Sequence, residues 1–302
     1  MSARVIALKQ PPFDASSFET PRAVRRATPE GRIFSLAGGP GRVPCFYFAP
    51  PGRDLTRPPL VVVHGISRNA LEQIARFAPA AARRGVALIA PLFIKAQFRA
   101  YQTLGDKDGW RALKAFEACL AAAQDVIGQS TTAVNIFGYS GGGQFAHRFA
   151  MMRPQRVKDI AVAAAGWYTM PDPTMRYPYG IGGVLSPISD IGSFYKRRAL
   201  VIVGEGDRQR DPALRRSRRL DREQGRDRVE RARNWTRAVN HAAEAKGARA
   251  PAAFVALPSV GHSFSDCADA GLAQFVTDWF YPRSRDQEHP PSIEGTEICS
   301  DA

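Results

Sequence analysis

Short apolar runs alternate with longer amphipathic stretches over most of the chain. Continuous apolar segments such as Leu60–Val63 and Ala199–Val203 are typical of strands in a sheet that is buried on both faces. Segments with apolar residues at i, i+3, i+4 and i+7 predict helices, the last of them over Ser265–Phe280. The repeated alternation of strand and helix predicts parallel strands joined by crossover helices, and therefore an α/β sheet with helices on both faces.

The same pattern gives the predicted elements in chain order. A hairpin opens the sheet, because two strand-like segments flank the glycine-rich turn at 38–41. The strands are predicted at Ile33–Ala37, Val43–Ala49, Leu60–Val63, Val86–Ala90, Ala133–Phe137, Ile160–Ala165, Ala199–Val203 and Ala253–Leu257. The helices are predicted at Ala70–Arg84, Gly109–Ile127, Gly141–Met152, Asp227–Ala245 and Ser265–Phe280.

One folded domain, residues 32–281, is predicted between two polar ends. Residues 1–31 are rich in proline and polar residues and indicate an irregular lead-in, and residues 282–302 indicate a flexible tail. Residues 171–198 hold four prolines and four glycines and are too long for an ordinary connection, which predicts a lid or a pocket wall.

Composition and charge narrow the classes of protein. Of 302 residues, 44% are hydrophobic, which excludes a wholly disordered chain. No apolar stretch approaches the ~18 residues of a membrane span, and the first residues lack the apolar core of a secretory signal. We therefore expect a cytoplasmic protein without a transmembrane segment. Four cysteines, Cys45, Cys119, Cys267 and Cys299, have no regular spacing and predict neither a zinc site nor a disulfide framework.

The formal net charge is +14, and an arginine-rich segment at 208–233 contributes eleven arginines against five acidic residues. The acids are interleaved, so that Arg226/Glu230 and Asp227/Arg231 are i, i+4 pairs on a predicted exposed helix. A nucleic-acid partner is the alternative, but only Trp235 is available nearby for base stacking. The pattern favours a solvated charged face, and nucleic acid is not expected as a partner.

The most informative motif is G-x-S-x-G at Gly138, Ser140 and Gly142. An apolar strand precedes it and a helical pattern follows it, which is the setting of a nucleophile elbow. A serine on such a sharp turn stands clear of the sheet, next to a helix N-terminus that favours developing negative charge. The alternative is a glycine-rich helix start that only packs closely.

A serine nucleophile needs a base, and the chain has five histidines. His64 ends a strand, His147 lies too deep in the helix after Ser140, His241 lies in a charged helix and His289 in the tail. His262 lies between the last strand and the last helix, where a loop can reach the carboxyl edge of the sheet. His262 is therefore the predicted base, and a surface histidine beside a flexible glycine is the alternative.

The histidine in turn needs a carboxylate. Asp207 follows the strand Ala199–Val203, and the order Ser140, Asp207, His262 is that of the α/β-hydrolases. Glu205, Asp211 and Asp190 are the rivals. A purely structural role is the alternative for Asp207, which could cap a nearby helix or pair with a neighbouring arginine.

An oxyanion hole completes the predicted machinery. One donor is expected from the backbone N–H of Gly141, directly after the serine, and the other from the N–H of Ile66, with Gly65 allowing a close approach. For His64 we expect only a structural role. The substrate-pocket candidates are Tyr139, Trp167, Tyr168, Tyr177 and Tyr179, each with core packing as the alternative.

These motifs resemble the α/β-hydrolase superfamily over residues 33–281. The resemblance rests on VVVHGIS at 61–67, FGYSGGG at 137–143, VGEGD at 203–207 and VGHSF at 260–264. Within the superfamily the chain is most similar to polyhydroxyalkanoate depolymerase-like and short-chain carboxylesterases. The absence of HGGG argues against the lipase branch that uses it, and a serine nucleophile argues against the dehalogenase and dienelactone hydrolase branches.

The resemblance implies a fold and an activity. The fold would be an eight-stranded, mostly parallel sheet with an antiparallel start, and the site would have Ser140 as nucleophile, Asp207 as acid and His262 as base. The implied reaction is hydrolysis of a small-molecule or polymeric carboxylic ester through an acyl-enzyme, without metal or cofactor. A peptidase or amide hydrolase on the same triad, and a non-catalytic scaffold used for binding, are the alternatives.

Overall fold

The structure is a computed structural model that describes residues 4–6, 31–39, 41–105, 107–184, 186–249 and 251–282. The tail predicted at 282–302, apart from Pro282, lies outside these residues, as do His289 and Cys299. No helix among the described residues is both long and apolar enough to cross a membrane.

Nine strands of the described chain form a single sheet, in the spatial order β1-β2-β3-β5-β4-β6-β7-β8-β9. The pairs β1–β2, β2–β3 and β3–β5 are antiparallel, and all pairs from β5 to β9 are parallel. The strands are β1 (Arg4–Ile6), β2 (Ile33–Leu36), β3 (Cys45–Phe48), β4 (Leu60–Val63), β5 (Leu88–Pro91), β6 (Val134–Tyr139), β7 (Val157–Ala163), β8 (Ala199–Gly204) and β9 (Ala252–Leu257).

Strands β2 to β9 confirm the predicted eight-stranded, mostly parallel sheet with an antiparallel hairpin at its start. The short strand β1 is additional and lies within the segment that was expected to be irregular throughout. It pairs with the outer edge of β2, with Val5 opposite Phe34. An edge strand carries unpaired backbone N–H and C=O groups, and a short partner strand satisfies them.

The helices that cover the sheet follow the predicted pattern except at the end of the chain. They are α1 (Ala70–Arg84), α2 (Lys107–Ile127), α3 (Gly141–Met152), α4 (Ile191–Phe194), α5 (Arg218–Glu223), α6 (Arg228–Glu244), α7 (Phe264–Asp269) and α8 (Leu272–Phe280). The single helix predicted over Ser265–Phe280 is wrong, because Gly271 lies between α7 and α8 with a φ of +89°. This left-handed conformation interrupts a right-handed helix and is readily adopted only by glycine.

The core consists of one apolar layer on each face of the sheet. Along β4, Val61 and Val63 face the layer that contains α2, α3 and α6, whereas Leu60 and Val62 face the layer with α1 and α8. All four side chains are completely buried. This explains why the strand is apolar at every position instead of alternating.

The segment 171–198 packs against the side of this domain. Its isolated bridges join Met170 to Gly180 and Arg176 to Gly182, and Ile181 and Ile188 pack onto the core. A Cβ on Gly182 would lie 1.8 Å from the carbonyl oxygen of Pro173, so this turn is closed tightly on itself. The role of the segment as a lid or pocket wall stays a prediction.

Candidate active site

The turn that joins β6 to α3 carries Ser140 in a strained conformation. Its φ of +52° and ψ of −112° are rare for a residue with a side chain and persist only where the surroundings impose them. The Ser140 N–H donates to the carbonyl of Ala163 at 2.8 Å, and the Ser140 carbonyl accepts from the N–H of Gln144 at 3.1 Å. The backbone on both sides of the serine is thus fixed by β7 and by the first turn of α3.

The two outer glycines of the motif are required by close backbone contacts. A Cβ on Gly138 would lie 2.1 Å from the carbonyl oxygen of Gly142, and a Cβ on Gly142 would lie 2.0 Å from that of Val63. No side chain fits at such distances. The motif therefore reflects the crowding of strand, turn and helix around Ser140.

Ser140, His262 and Asp207 meet in a chain of two hydrogen bonds. The Ser140 Oγ lies 3.1 Å from the His262 Nε2, and the His262 Nδ1 lies 2.7 Å from the Asp207 Oδ2. A carboxylate accepts a hydrogen bond from Nδ1–H, which leaves the lone pair of Nε2 directed at the serine hydroxyl. The structure thus brings together three residues that are far apart in the sequence.

The loops that carry Asp207 and His262 are tied to each other. The Glu205 N–H donates to the carbonyl of Leu257 at 2.8 Å, and the Gly206 N–H donates to that of Val260 at 2.9 Å. Both loops follow neighbouring parallel strands, β8 and β9, and so leave the sheet at the same edge. Parallel pairing of these two strands thus brings the carboxylate to the imidazole.

Asp207 has a second partner that the sequence analysis did not identify as part of the site. Its side chain is only 1% exposed, and its Oδ1 accepts a hydrogen bond of 3.1 Å from the Arg228 Nη1. Among the rivals, Asp211 binds the same guanidinium, Glu205 is exposed, and Asp190 caps α4 by accepting from the N–H of Ser193. Asp207 is the acid that contacts His262.

The expected oxyanion donors lie beside the serine. A Cβ on Gly65 would lie 3.4 Å from the Ser140 Cβ, and a Cβ on Gly141 would lie 3.3 Å from the Ile66 nitrogen. Within the described chain, neither the Ile66 N–H nor the Gly141 N–H donates to another group. Gly141 begins α3, where the first N–H groups have no acceptor inside the helix. Both N–H groups are thus close together and available to an anion.

Two further histidines lie near these loops and bond only to the backbone. The Nδ1 of His64 donates to the carbonyl of Gly65 at 2.7 Å, and its Nε2 accepts from the N–H of Phe93 at 2.9 Å. The structural role expected for His64 is therefore confirmed. Burial lowers the pKa of His64 to about 3 and that of His147 well below its ordinary value, so both rings are neutral.

The five pocket candidates have different environments. Tyr168 is completely buried and stacks on Trp235 at 5.0 Å, so its assignment to the pocket is wrong, because this ring belongs to the core. Tyr139 is 5% exposed and packs 5.7 Å from the ring of His262, with its hydroxyl 3.7 Å from the Cys267 sulfur. The Tyr139 ring is thus a packing neighbour of the His262 ring. The half-buried Tyr177 donates its O–H to the carbonyl of Thr103 at 2.7 Å.

Trp167 and Tyr179 form an aromatic pair covered by arginines. Their ring centroids are 5.1 Å apart, the Arg148 and Arg215 guanidinium groups lie 4.1 and 5.1 Å from the Trp167 ring, and that of Arg219 lies 4.5 Å from the Tyr179 ring. Arg148 is completely buried, which lowers its pKa to about 10. Among the described side chains, no carboxylate lies within ion-pair distance of Arg148 or Arg215. We refer to these five residues as the arginine–aromatic cluster.

The arginine-rich segment 208–233 is only partly the solvated face that the sequence indicated. Arg228 and Arg231 are 1% and 0% exposed. The predicted Asp227–Arg231 pair does not form, because Arg231 instead reaches Asp221 at 3.2 Å and the carbonyl of Gly166 at 2.6 Å. Asp227 caps α6 by accepting from the N–H of Glu230, whose carboxylate accepts from the backbone N–H of Arg226.

The described part of the chain holds no group of three histidine, cysteine, aspartate or glutamate side chains that could bind a metal ion. The thiols of Cys45, Cys119 and Cys267 are free and buried. Burial raises the pKa of Cys267, which keeps this neighbour of Tyr139 protonated.

The chain is similar to known proteins in its three-dimensional structure. No family model matches the sequence, and no curated protein is similar to it in sequence. Among solved structures, poly(aspartic acid) hydrolase-1 from Sphingomonas sp. KT-1 is 25% identical with a TM-score of 0.71, and the match covers 84% of this chain and 99% of that one.

Two further structures have the same fold. A poly(3-hydroxybutyrate) depolymerase from Bordetella parapertussis is 26% identical with a TM-score of 0.66, covering 83% of this chain and 89% of that one. An S-formylglutathione hydrolase from Agrobacterium tumefaciens is 15% identical with a TM-score of 0.54, covering 83% of this chain and 94% of that one. The structural neighbours are hydrolases, and the fold of this chain is that of the α/β-hydrolase superfamily.

Proposed function

We propose that this chain, which has the α/β-hydrolase fold, is a serine hydrolase that cleaves carboxylic esters through an acyl-enzyme on Ser140. The observation that carries the proposal is the continuous hydrogen-bond path from Ser140 through His262 to the buried Asp207, with contacts of 3.1 and 2.7 Å. The similarity to a depolymerase of a polyester, poly(3-hydroxybutyrate), supports an ester as the substrate.

The first half of the reaction forms the acyl-enzyme. The Ser140 Oγ attacks the ester carbonyl carbon while its proton moves to the His262 Nε2, and Asp207 stabilises the resulting imidazolium. The carbonyl oxygen becomes an oxyanion, which accepts hydrogen bonds from the N–H groups of Gly141 and Ile66. The tetrahedral intermediate then breaks its bond to the alkoxy oxygen, which leaves as an alcohol with the proton from His262.

The second half releases the acid. Water loses a proton to the His262 Nε2 as its oxygen attacks the acyl carbon, and the same two N–H groups hold the new oxyanion. The bond to Ser140 Oγ breaks, His262 returns the proton to that oxygen, and the free carboxylic acid departs. No residue outside this group has to supply a proton or an electron.

Replacement of the nucleophile tests the proposal. Ser140→Ala should lower kcat for p-nitrophenyl ester hydrolysis by about 10⁴-fold or more and abolish labelling by a fluorophosphonate probe. Ser130→Ala is the matched control, because Ser130 is exposed and bonds only its neighbour Thr132. Hydrolysis that survives Ser140→Ala would overturn the assignment of this serine, and an unmodified protein that neither hydrolyses esters nor takes up the probe would favour a binding scaffold.

The arginine–aromatic cluster favours a second candidate, the hydrolysis of amide bonds in an acidic polymer. Arg215 is exposed and lies 5.1 Å from the Trp167 ring without a carboxylate partner among the described side chains, and the net charge of +14 adds attraction for anions. The similarity to a poly(aspartic acid) hydrolase supports this substrate class, since the same triad can cleave amides.

A substrate comparison separates the two candidates. Release of acidic fragments from poly(aspartic acid), set against release of hydroxy acids from a neutral polyester, gives the preference directly. For an acidic polymer, Arg215→Gln should raise KM while leaving the hydrolysis of neutral p-nitrophenyl esters nearly unchanged. Equal losses on both substrates would exclude a role of Arg215 in recognising anions.

A further inference from the structure

A buried arginine joins two carboxylates directly behind the proposed base. The Arg228 Nη1 donates to the Asp207 Oδ1 at 3.1 Å and to the Asp211 Oδ2 at 2.7 Å, and its Nη2 donates to the Asp211 Oδ1 at 3.1 Å. The Asp207 oxygen that Arg228 contacts is the one that does not face His262. The two partners therefore fix the rotation of this carboxylate between them.

The position of Arg228 is unfavourable unless these contacts compensate for it. It is the first residue of α6, where the positive end of the helix dipole disfavours a cation, and its side chain is 1% exposed. Burial alone lowers the pKa of Arg228, but hydrogen bonds and charges at Asp211 and Asp207 raise it above its ordinary value. Arg228 therefore stays charged, and the hydrogen bonds to Arg228 lower the pKa of Asp211 to about 2.

The net charge around His262 is set by four side chains, those of Asp207, Asp211, Arg228 and His262 itself. With both carboxylates ionised, Arg228 protonated and His262 neutral, the four side chains carry a formal charge of about −1. When His262 accepts the proton of Ser140, the total becomes zero. Other titratable groups facing the cluster are Tyr139, Tyr168 and Cys267, and burial raises the pKa of each, so all three are neutral. The charge of Asp266 on α7 also raises the pKa of Cys267, after burial and Asp207.

We propose that Arg228 is a positioning residue of the proposed hydrolase: it orients the Asp207 carboxylate toward His262 and, together with Asp211, sets how strongly His262 holds a proton. The inference rests on the proposed function for its kinetic consequence, but its effect on His262 exists in the resting protein. Arg228 acts through Asp207 and has no contact with the serine, so its removal changes the orientation and the proton affinity of the His262 base without removing it.

Opposite charge changes at Arg228 and Asp211 give opposite predictions. Arg228→Met removes a positive charge that disfavours the positive imidazolium, so it should raise the pKa of His262. Asp211→Asn removes a negative charge and should lower the same pKa by a smaller amount. Two measurements report the pKa of His262. One is the acid limb of the pH profile of kcat/KM for a p-nitrophenyl ester, and the other is a ¹⁵N-histidine NMR titration in which the His262→Ala variant identifies the His262 signal.

Two further variants separate charge from folding. Arg228→Lys keeps the charge but cannot bind two carboxylates with a planar fork, so it should keep the pKa of His262 near its original value while lowering kcat. Arg231→Met removes a second buried arginine of α6 and should destabilise the protein without moving that pKa. Asp211 is 28% exposed, so Asp211→Asn reports on the proposal even where Arg228→Met fails to fold.

The outcomes are distinct from those that test the nucleophile. Opposite shifts for Arg228→Met and Asp211→Asn support the positioning role, whereas shifts of the same sign, or none in either variant, overturn it. Because the NMR titration needs no turnover, these outcomes can be read even if Ser140 proves inactive. If ester hydrolysis persists in Ser140→Ala while His262 responds as expected, the proposed function fails and the coupling to Arg228 stands.

Discussion

Three imidazoles surround the nucleophile elbow, and their partners divide them into two kinds. His64 and His147 each use one ring nitrogen to donate to a backbone carbonyl and the other to accept from a backbone N–H. His262 instead lies between a carboxylate and a hydroxyl, and its side chain is 18% exposed. The first two rings connect pieces of backbone, whereas the third has partners that can stabilise or supply a proton.

The difference shows that the hydrogen-bond partners of a histidine decide whether its ring can accept and return a proton. A buried ring whose second nitrogen already accepts an N–H cannot take another proton without losing that bond, and burial adds a desolvation cost. His64 connects the Gly65 carbonyl to the Phe93 N–H, and His147 connects α3 to Thr169 after β7. Their chemistry is structural because the backbone occupies both nitrogens, while Asp207 compensates the charge that His262 acquires.

The largest expected effect comes from removing the ring that faces the serine. His262→Ala should lower kcat/KM for a p-nitrophenyl ester by about 10⁴-fold, because Ser140 then has no base, and the free energy of unfolding should change little. His241→Ala is the control, since His241 is exposed on α6. Initial rates and urea denaturation of both variants check the prediction. Retention of more than a tenth of the activity would place His262 with the structural histidines.

A smaller effect, on stability instead of activity, is expected when His64 is replaced. The shorter side chain of His64→Asn can still donate to the Gly65 carbonyl but no longer reaches the Phe93 N–H, which leaves a buried donor without an acceptor. We expect the free energy of unfolding to fall by about 3 kcal/mol, from this unpaired N–H and the cavity beside it.

Urea denaturation at pH 7 measures the His64→Asn effect. The activity of the folded fraction should fall much less than in His262→Ala. A variant with unchanged stability and a 10⁴-fold loss of activity would mean that His64 belongs to the catalytic group, and the division between the two kinds of histidine would not hold.

The sequence could predict that His262 lies beside Ser140 and Asp207 because local pattern and topology agree there. Apolar strands followed by Ser140, Asp207 and a glycine-flanked histidine bring all three residues to the carboxyl edge of one parallel sheet. The structural role of His64 was also predictable, since a histidine that ends a buried strand is surrounded by backbone. In these cases the decisive contacts are made by loops that directly follow strands.

Arg228 could not be found in the same way, because its burial depends on how α6 packs against the loop after β8. Eleven arginines in 208–233 look alike in sequence, and only tertiary structure buries two of them. The one local signal is a cation in the first turn of a helix, where the dipole disfavours it. Tyr168 was misassigned for a related reason, since an aromatic residue after a strand can turn either to the cleft or, as here, onto Trp235.

The smallest expected effect concerns the response of stability to pH. Because the pKa of His64 is about 3 in the folded protein and about 6.5 in an unfolded chain, the unfolded state binds more protons between these values. The contribution of His64 is therefore complete above about pH 6.5 and is lost progressively as the pH falls toward 3. Between pH 7 and pH 5 it amounts to about 2 kcal/mol, and His147 acts in the same direction.

Urea denaturation at pH 7 and pH 5 measures the pH-dependent contribution of His64 to stability, as the difference between the His64→Asn variant and the unmodified protein. Carboxylates and other histidines also titrate, but they are shared by all variants, so the pH-dependent loss should be about 2 kcal/mol smaller in His64→Asn than in the unmodified protein. An equal loss in both proteins would mean that His64 is protonated in the fold, and its ring would then not be held by the backbone in the way that separates it from His262.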